Sequence, residues 1–325
     1  MLPAVRSIQH QWPDTKISWI IGKLEYQLVC DIPEIEFIIF DKSSGWSAYK
    51  KLRQQLSGRS FDVLLHMQIS LRASLASLLI KAPIKLGFDK ARAKNLQSLF
   101  CNCQIPPSPR QHVLDSLMEF ALSLGINNKV IEWNIPIPES ALHFVQQNIS
   151  AEKYITINPC TSARSNNWRN LSVHTYADVI DQIHTQYKLP CVLTGGPSQT
   201  EIDFAAEIET LAKHTPINLV GKSQLKDLLA ILNQAAVVIA PDTGPLHMAN
   251  ACGTPVIGLY ASSNPDRTGP YSNLPNTVNK YPEAVRREFH QSIENVKWGQ
   301  RVRDPDVMTL ISTEDILQKL SNILK

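Results

Sequence analysis

Short apolar runs alternate with amphipathic stretches along most of this 325-residue chain. In the first half, the runs with strand character are Ile17–Ile21, Glu36–Phe40, Phe61–His66 and Lys85–Gly87. Helical spacing of apolar residues is found at Trp46–Leu56, Leu71–Ile80 and His112–Leu124. Because β-branched runs that alternate with helices are typical of parallel sheets covered by helices, the pattern predicts an α/β fold.

A second series of the same kind follows the proline-bearing segment 133–138. Its strands are predicted at Tyr154–Ile157, Cys191–Thr194, Ile217–Val220, Val237–Ala240 and Val256–Tyr260. The helix that begins near Ser172 has one apolar face, formed by Val173, Tyr176, Ile180, Ile183 and Tyr187. Two such series in a chain of this length predict two Rossmann-like domains, residues 1–150 and 151–325.

The amino-acid composition limits the classes of function that fit this chain. Hydrophobic residues make up 43% of the chain and charged residues 19%, which is typical of a globular protein with a core. The net charge of +3 is too small to indicate nucleic-acid binding, and no apolar run approaches the ~20 residues that span a bilayer. The 6 cysteines favour neither a disulfide framework nor a zinc site, so we expect a reducing, cytoplasmic setting.

Segment 236–260 carries the most information about chemistry. It predicts a buried strand, a tight turn, a short helix and a second buried strand. Asp242 or Thr243 can cap the helix, and Gly253 suits the position beyond its end. The helix would then begin directly after the end of a strand. Its free N–H groups and the positive end of its dipole favour binding of a diphosphate there. An ordinary βαβ connection has the same capping pattern and is the alternative.

The same segment resembles the signature of the bacterial ADP-heptose:lipopolysaccharide heptosyltransferases, glycosyltransferase family 9. The pattern D-[ST]-G-x-x-H-x-A-x-A-x-G-x-P is matched at Asp242, Thr243, Gly244, His247, Ala249, Ala251, Gly253 and Pro255. The likeness extends along the chain and is greatest to the enzymes that add the first heptose. It implies the GT-B architecture, in which two Rossmann-like domains face a cleft and the last helix can pack back on the first domain.

The resemblance also implies a reaction. Heptose would pass from ADP-heptose to a Kdo (3-deoxy-octulosonic acid) residue of Kdo-lipid A, in the lipopolysaccharide inner core, with inversion at the anomeric carbon. The first domain would bind the acceptor and the second the nucleotide sugar, without a metal or cofactor. The protein would act at the cytoplasmic face of the inner membrane of a Gram-negative bacterium, in peripheral contact with the membrane and with no nucleic acid as partner.

On the donor side, the candidates lie in loops that follow predicted strands. Glu201 matches the family's ribose ligand, although a solvated acid in a first helical turn is as good an interpretation. Many relatives have a lysine where this chain has Asn166, so Arg164 is expected to supply that cation. The donor candidates are Thr161, Ser162, Arg164, Gly195, Gly196, Glu201, Gly221, Lys222, Asp242, Thr243, Gly244 and His247.

Two of these candidates have specific alternatives. His247 is expected to stabilise the leaving group, or else to be a helix-face histidine bonded to a backbone carbonyl. Lys222 is expected beside the adenine, or else to be an ordinary surface lysine.

On the acceptor side, segment 81–110 carries six basic residues and one acid. Lys90, Arg92 and Lys94 are the acceptor candidates, because an inner-core acceptor on an anionic membrane attracts cations. Arg72 and His66 are weaker candidates. The alternative is a solvated basic loop.

The resemblance leaves the general base outside this sequence. Family members begin with a strand and a Gly-Asp turn, followed by a helix that carries the Leu-Pro-Ala-Val-Arg found here at Leu2–Arg6. We therefore expect the base, the aspartate of that turn, to lie upstream of Met1, and the first domain to lack its first strand.

Two other functions share such sheets. A dinucleotide-dependent oxidoreductase needs Gly-x-Gly-x-x-Gly after a strand, and the sequence has no such motif. A non-catalytic or truncated nucleotide-sugar-binding protein of the same fold is the stronger alternative, because the expected base is not among these residues.

Overall fold

The structure, a computed structural model, describes residues 1–161 and 168–324. The chain forms two compact units, Met1–Pro136 and Ile137–Lys325. Both consist of parallel strands connected by helices, and the α/β prediction is confirmed. The helix that follows Pro138 belongs to the second unit. The sequence-based boundary at residue 150 and the domain roles stay predictions.

The first unit carries two small parallel sheets. Its helices are α1 (Leu2–Gln11), α2 (Lys23–Val29), α3 (Trp46–Gln55), α4 (Leu71–Ser77) and α5 (Val113–Leu122). Its strands are β1 (Ile17–Ile21), β2 (Ile35–Ile39), β3 (Val63–Leu65), β4 (Ile84–Gly87) and β5 (Cys103–Gln104). β1 pairs with β2, and β4 lies between β3 and β5. Both residues of β5 are exposed, so no apolar period marked this strand in the sequence.

The second unit contains one parallel sheet with the order β11-β10-β9-β6-β7-β8. Its strands are β6 (Ile155–Ile157), β7 (Cys191–Leu193), β8 (Ile217–Asn218), β9 (Val237–Pro241), β10 (Val256–Tyr260) and β11 (Val278–Asn279). Its helices are α6 (Glu139–Asn148), α7 (Val173–Tyr187), α8 (Gln199–Leu211), α9 (Leu225–Gln234), α10 (Gly244–Ala251), α11 (Pro265–Thr268), α12 (Tyr281–Phe289) and α13 (Thr313–Ile323). Every residue of β6, β7, β9 and β10 is buried, which explains their continuous apolar runs.

The core of the second unit lies between this sheet and its helices. On α7, Tyr176, Ile180 and Ile183 are buried, as the helical spacing predicted. The final helix, α13, contributes Ile316 and Leu320, which are both fully buried in the same core. In the described residues, no helix combines the length and apolar character needed to cross a membrane.

Candidate functional site

The strand order of the second unit defines where a ligand can bind. Counted from β6, the order is 3-2-1-4-5-6, so the sheet is doubly wound and its connections change direction between β6 and β9. These two strands pair directly, with Ile155 opposite Val237 and Ile157 opposite Ile239. In open parallel sheets, ligands bind outside the carboxyl ends of the strands at such a switch point. The donor candidates of this unit that the structure describes all lie in or just after loops that leave this edge.

Among the described residues, two buried polar atoms at the switch point lack hydrogen-bond partners. Asn158 follows β6, and its amide nitrogen donates to the carbonyl of Thr194 at 2.7 Å. Its Oδ1 has no hydrogen-bond partner among the described residues, and the same holds for Oγ1 of Thr243, which follows β9. Because a buried polar atom without a partner costs free energy, the two atoms mark a place that a ligand or water can complete. Asn158 was not among the sequence-based candidates.

The turn after β9 presents the start of α10 at the same place. Thr243 is the N-cap residue with an extended backbone, but its side chain makes no capping hydrogen bond. The N–H groups of Gly244 and Leu246 have no intrahelical carbonyl to bond, because they belong to the first turn. Gly244 is exposed, and a Cβ at this position would have no atom within 4 Å. The turn therefore offers backbone N–H groups that lack an intrahelical partner to an anion, with Gly244 as its exposed residue.

Asp242 organises the side chains around this turn. Its carboxylate lies 3.5 Å from Nε2 of His247 and accepts a hydrogen bond from Ser263 at 3.0 Å. Arg169 donates to the Asp242 carbonyl at 2.6 Å, and its guanidinium lies 3.7 Å from the carboxylate. Burial opposes ionisation of Asp242, but His247, Ser263 and Arg169 together lower the pKa of its carboxyl group. Asp242 is thus an ionised anchor for His247, rather than a group facing solvent.

Tyr260, at the end of β10, completes this cluster. Its hydroxyl donates to the carbonyl of Thr268 at 3.0 Å and lies 3.5 Å from the Asp242 carboxylate. Burial and the neighbouring negative charge raise the pKa of Tyr260 well above its ordinary value. Sequence reasoning missed Arg169, Tyr260 and Ser263. Arg169 directly follows Trp168 and is close in sequence to the candidate Arg164. That proximity is the one sequence signal that could have pointed to a role for Arg169.

Glu201 forms hydrogen bonds to the loop that follows β7. One carboxylate oxygen accepts the backbone N–H of Gly196 at 2.6 Å, and the other accepts the hydroxyl of Ser198 at 3.0 Å. An added Cβ on Gly195 or on Gly196 would stand only 3.0 Å from this carboxylate. Glycine at both positions therefore lets the turn fit tightly around Glu201. Glu201 is therefore not a freely solvated acid. Because a carboxylate can accept about four hydrogen bonds, Glu201 can still accept further hydrogen bonds from a ligand.

The loop after β8 adjoins the glycine turn. Gly221 has φ +74°, which favours glycine, and its N–H donates to the carbonyl of Gly195 at 3.1 Å. Lys222 is exposed and donates to the carbonyl of Asn218 at 2.8 Å. The structure thus brings Gly195, Gly196, Glu201, Gly221 and Lys222 together at one side of the switch point.

The loop after β6 is described only in part. Thr161 is buried, and both its N–H and its hydroxyl donate to Oδ1 of Asn170, at 2.9 and 3.1 Å. Thr161 is thus hydrogen-bonded to the segment that leads into α7. Ser162 and Arg164 lie outside the described residues.

In the first unit, the three acceptor candidates have different surroundings. Lys90 and Lys94 are exposed. Arg92 is mostly buried, with ion pairs to Asp89 at 2.7 Å and to Glu119 at 2.8 Å. Its guanidinium therefore fastens the basic loop to α5, and this contact gives Arg92 a structural function whatever the loop binds.

The two weaker candidates also differ. Arg72 is exposed on α4. His66 is buried, and its Nε2 lies 3.2 Å from the hydroxyl of Ser74. Burial lowers the pKa of His66, and the charge of Lys85 lowers it further, so His66 is neutral at neutral pH.

Comparisons with known proteins give a consistent result. The family model described as glycosyltransferase family 9 (heptosyltransferase) matches residues 49–298. The lipopolysaccharide core heptosyltransferase OpsX of Haemophilus influenzae is 36% identical over 323 residues, which cover 99% of this chain and 92% of that protein.

Two solved structures match the fold. The glycosyl transferase family 9 structure from Veillonella parvula has a TM-score of 0.79 at 20% identity, covering 99% of this chain and 92% of that one. The E. coli heptosyltransferase WaaC with ADP has a TM-score of 0.72 at 18% identity, covering 99% of this chain and 94% of that one.

Proposed function

Because the chain belongs to glycosyltransferase family 9, the heptosyltransferases, we propose that it transfers L-glycero-D-manno-heptose from ADP-heptose to a Kdo residue of the lipopolysaccharide inner core, with inversion at the anomeric carbon. The observation that carries this proposal is the switch point of the second unit. There, among the described residues, Oδ1 of Asn158 and Oγ1 of Thr243 have no hydrogen-bond partner, and Thr243 directly precedes the first turn of α10.

The donor lies across this edge in the proposed complex. Its diphosphate meets the start of α10, where N–H groups and the helix dipole favour negative charge. Its nucleoside extends toward the loops after β7 and β8, where Glu201 accepts ribose hydroxyls through its remaining lone pairs. The E. coli heptosyltransferase WaaC, whose fold this chain shares, was solved with ADP, and that ligand supports a nucleotide donor for this chain as well.

Catalysis then consists largely of stabilising the ADP leaving group. As the bond to the anomeric carbon breaks, negative charge grows on the diphosphate, and preorganised donors lower the barrier. The N–H groups of α10 and the side chain of His247 supply these donors. Asp242 and Arg169 are positioning residues, since they hold His247 and the turn in place. The base that deprotonates the acceptor hydroxyl stays a prediction.

The acceptor binds to the first unit in this proposal, at the carboxyl ends of β2, β3 and β4. Three large apolar side chains are exposed there, Trp46 at 81%, Leu71 at 50% and Leu96 at 67%. Contacts connect the three loops: Tyr49 packs on Trp46 and donates to the Arg72 carbonyl, and Asn95 donates to the Ile69 carbonyl. The exposed cations beside them are Lys42, Arg72, Lys90 and Lys94.

An edge that combines exposed apolar and cationic side chains suits an anionic glycolipid at a membrane surface. This mixture supports an acceptor of the lipopolysaccharide class. It also supports peripheral contact with the cytoplasmic face of the inner membrane.

A transfer assay tests the proposal. The full chain is incubated with ADP-heptose and a heptose-deficient lipopolysaccharide core, and the product is analysed by mass spectrometry. Addition of one heptose would support the proposal, and His247→Ala should then lower kcat more than it raises the KM for the donor. Because no residue of this chain is assigned as the base, such transfer would also show that one of its residues serves in that role. ADP binding without transfer would favour the non-catalytic nucleotide-sugar-binding protein, and absence of ADP binding would refute the donor site itself.

A further inference from the structure

A small, partly open polar pocket lies at the end of β10, on the side of Asp242 away from the glycine turn. It is formed by the turn after β10 together with the segment that follows α12. Its lining residues are Ser263, Asn264, Arg267, Thr268, Trp298, Gly299, Gln300 and Arg301. Ser263 belongs both to this pocket and to the Asp242 cluster, because its hydroxyl donates to the Asp242 carboxylate. The pocket is therefore continuous with the candidate donor site.

The walls of this pocket are fixed by hydrogen bonds that are buried or partly buried. Ser262 and Val302 pair through two bonds, Val302 N–H to the Ser262 carbonyl at 2.9 Å and Ser262 Oγ to the Val302 carbonyl at 2.7 Å. Tyr281 donates to the Gln300 carbonyl at 2.9 Å. The Asn264 side chain accepts the N–H of Asp266 at 3.0 Å and so orders the turn that carries Arg267. The segment that bears Arg301 is thus held against the end of β10.

Two guanidinium groups share the pocket, and their charge is not neutralised there. Arg267 is half-buried and Arg301 is exposed, and within the described part of the chain neither has an ion pair or a side-chain hydrogen bond. Burial lowers the pKa of Arg267, and the positive charge of Arg301 lowers it further. Asp242 acts in the opposite direction, but it already faces Arg169 and His247. An anion in the pocket would relieve this repulsion.

We propose that Arg267 and Arg301 form an oxyanion subsite that takes a carboxylate or a phosphate group of the acceptor. The assignment to the acceptor rests on the proposed function and follows from the strand order. β10 lies beside β9 on the side away from β7 and β8, where the nucleoside is proposed to bind. The pocket and the proposed nucleoside site therefore lie on opposite sides of the proposed diphosphate site. A planar guanidinium can hold two oxygens of a carboxylate or phosphate group.

Inorganic phosphate probes the subsite directly. It is titrated into the full chain by calorimetry at constant ionic strength, first alone and then with saturating ADP, which occupies the donor's own phosphate site. We expect phosphate to bind in the presence of ADP, and Arg267→Gln and Arg301→Gln each to weaken that binding about tenfold, the scale of one charge-assisted hydrogen bond. Arg303→Gln is the matched control, since Arg303 is exposed in the same segment but outside the pocket. It should leave the affinity unchanged.

Three results would overturn the proposal. The first is an unchanged phosphate affinity in Arg301→Gln, an exposed position where substitution leaves the fold intact. The second is a loss that is equal in Arg303→Gln. The third is loss of phosphate binding once ADP is present, together with weaker ADP binding by Arg267→Gln, because the arginines would then hold the donor's diphosphate.

A kinetic measurement tests whether the oxyanion belongs to the acceptor or to the donor. Arg301→Gln should raise the KM for the acceptor and leave the KM for ADP-heptose unchanged. A chain that binds no ADP would refute the proposed function, yet the comparison of Arg301→Gln with Arg303→Gln would still report on the phosphate subsite.

Discussion

Replacement of Glu201 separates ribose recognition from support of the glycine turn. The structure gives this carboxylate two partners, the Gly196 N–H and the Ser198 hydroxyl. With about four acceptor positions on a carboxylate, two remain for ribose hydroxyls. A hydrogen bond to a charged group contributes about 1.5–3 kcal/mol, so loss of the ribose contact should weaken ADP binding roughly tenfold or more.

A double-mutant cycle isolates that contact. Calorimetry compares ADP with 2′-deoxy-ADP and 3′-deoxy-ADP on the wild type and on Glu201→Ala. If Glu201 binds a ribose hydroxyl, one deoxy analogue should bind the wild type about tenfold more weakly than ADP does, and Glu201→Ala should no longer distinguish the two. The coupling free energy would then be about 1.4 kcal/mol.

The same cycle also shows whether Glu201 only supports the turn. If Glu201 only holds the turn, the loss caused by Glu201→Ala and the loss caused by the deoxy analogue will add, and the coupling will be near zero. Glu207→Ala is the control, because Glu207 is an exposed acid on the same helix. It should change neither affinity.

Three further predictions concern the first unit. Arg92→Ala should lower the free energy of unfolding in urea by about 3 kcal/mol, because it leaves two largely buried carboxylates unpaired, whereas Lys94→Ala should have no effect. Reversal of Lys90 and Lys94 to glutamate should raise the acceptor KM and weaken binding to anionic vesicles at low salt, with ADP affinity unchanged; equal kinetics would exclude this loop from acceptor binding. The Arg59 hydrogen bond lowers the pKa of Glu36 to about 2 from 4.5, so the stability advantage of the wild type over Arg59→Gln should be present above about pH 4.5 and shrink as the pH falls toward 2, and a constant advantage would contradict the ion pair.

The sequence predicted much of the second unit because its four central strands are buried on both faces. Such strands are continuous apolar runs, and the runs predicted at Tyr154–Ile157 and Cys191–Thr194 agree with β6 and β7 to within a residue at each end. In the first unit, β1 was predicted at its observed bounds, Ile17–Ile21, whereas β5 was missed because its two exposed residues have no apolar signal.

The candidate site was predictable where a local motif carried it. The turn at Asp242–Gly244 and its histidine are close in sequence, so their spacing alone brings them together. Arg169 is 73 residues from Asp242, and no periodicity links the two. For Arg92, the sequence indicated only one cation among several in a basic loop. The structure pairs its guanidinium with two acids, and the composition of the loop gave no sign of those contacts.

In the proposed complex, the diphosphate of the donor binds at the switch point beside His247. The most direct measurement is the affinity of ADP and of adenosine for His247→Ala and for His214→Ala. Both histidines lie close to an aspartate, at 3.5 and 3.2 Å, but His214 precedes β8 and so lies toward the opposite edge of the sheet. We expect His247→Ala to weaken ADP binding about tenfold and to leave adenosine binding unchanged, with no effect of His214→Ala. Equal ADP affinity in His247→Ala and the wild type, or an equal loss for adenosine, would contradict the account.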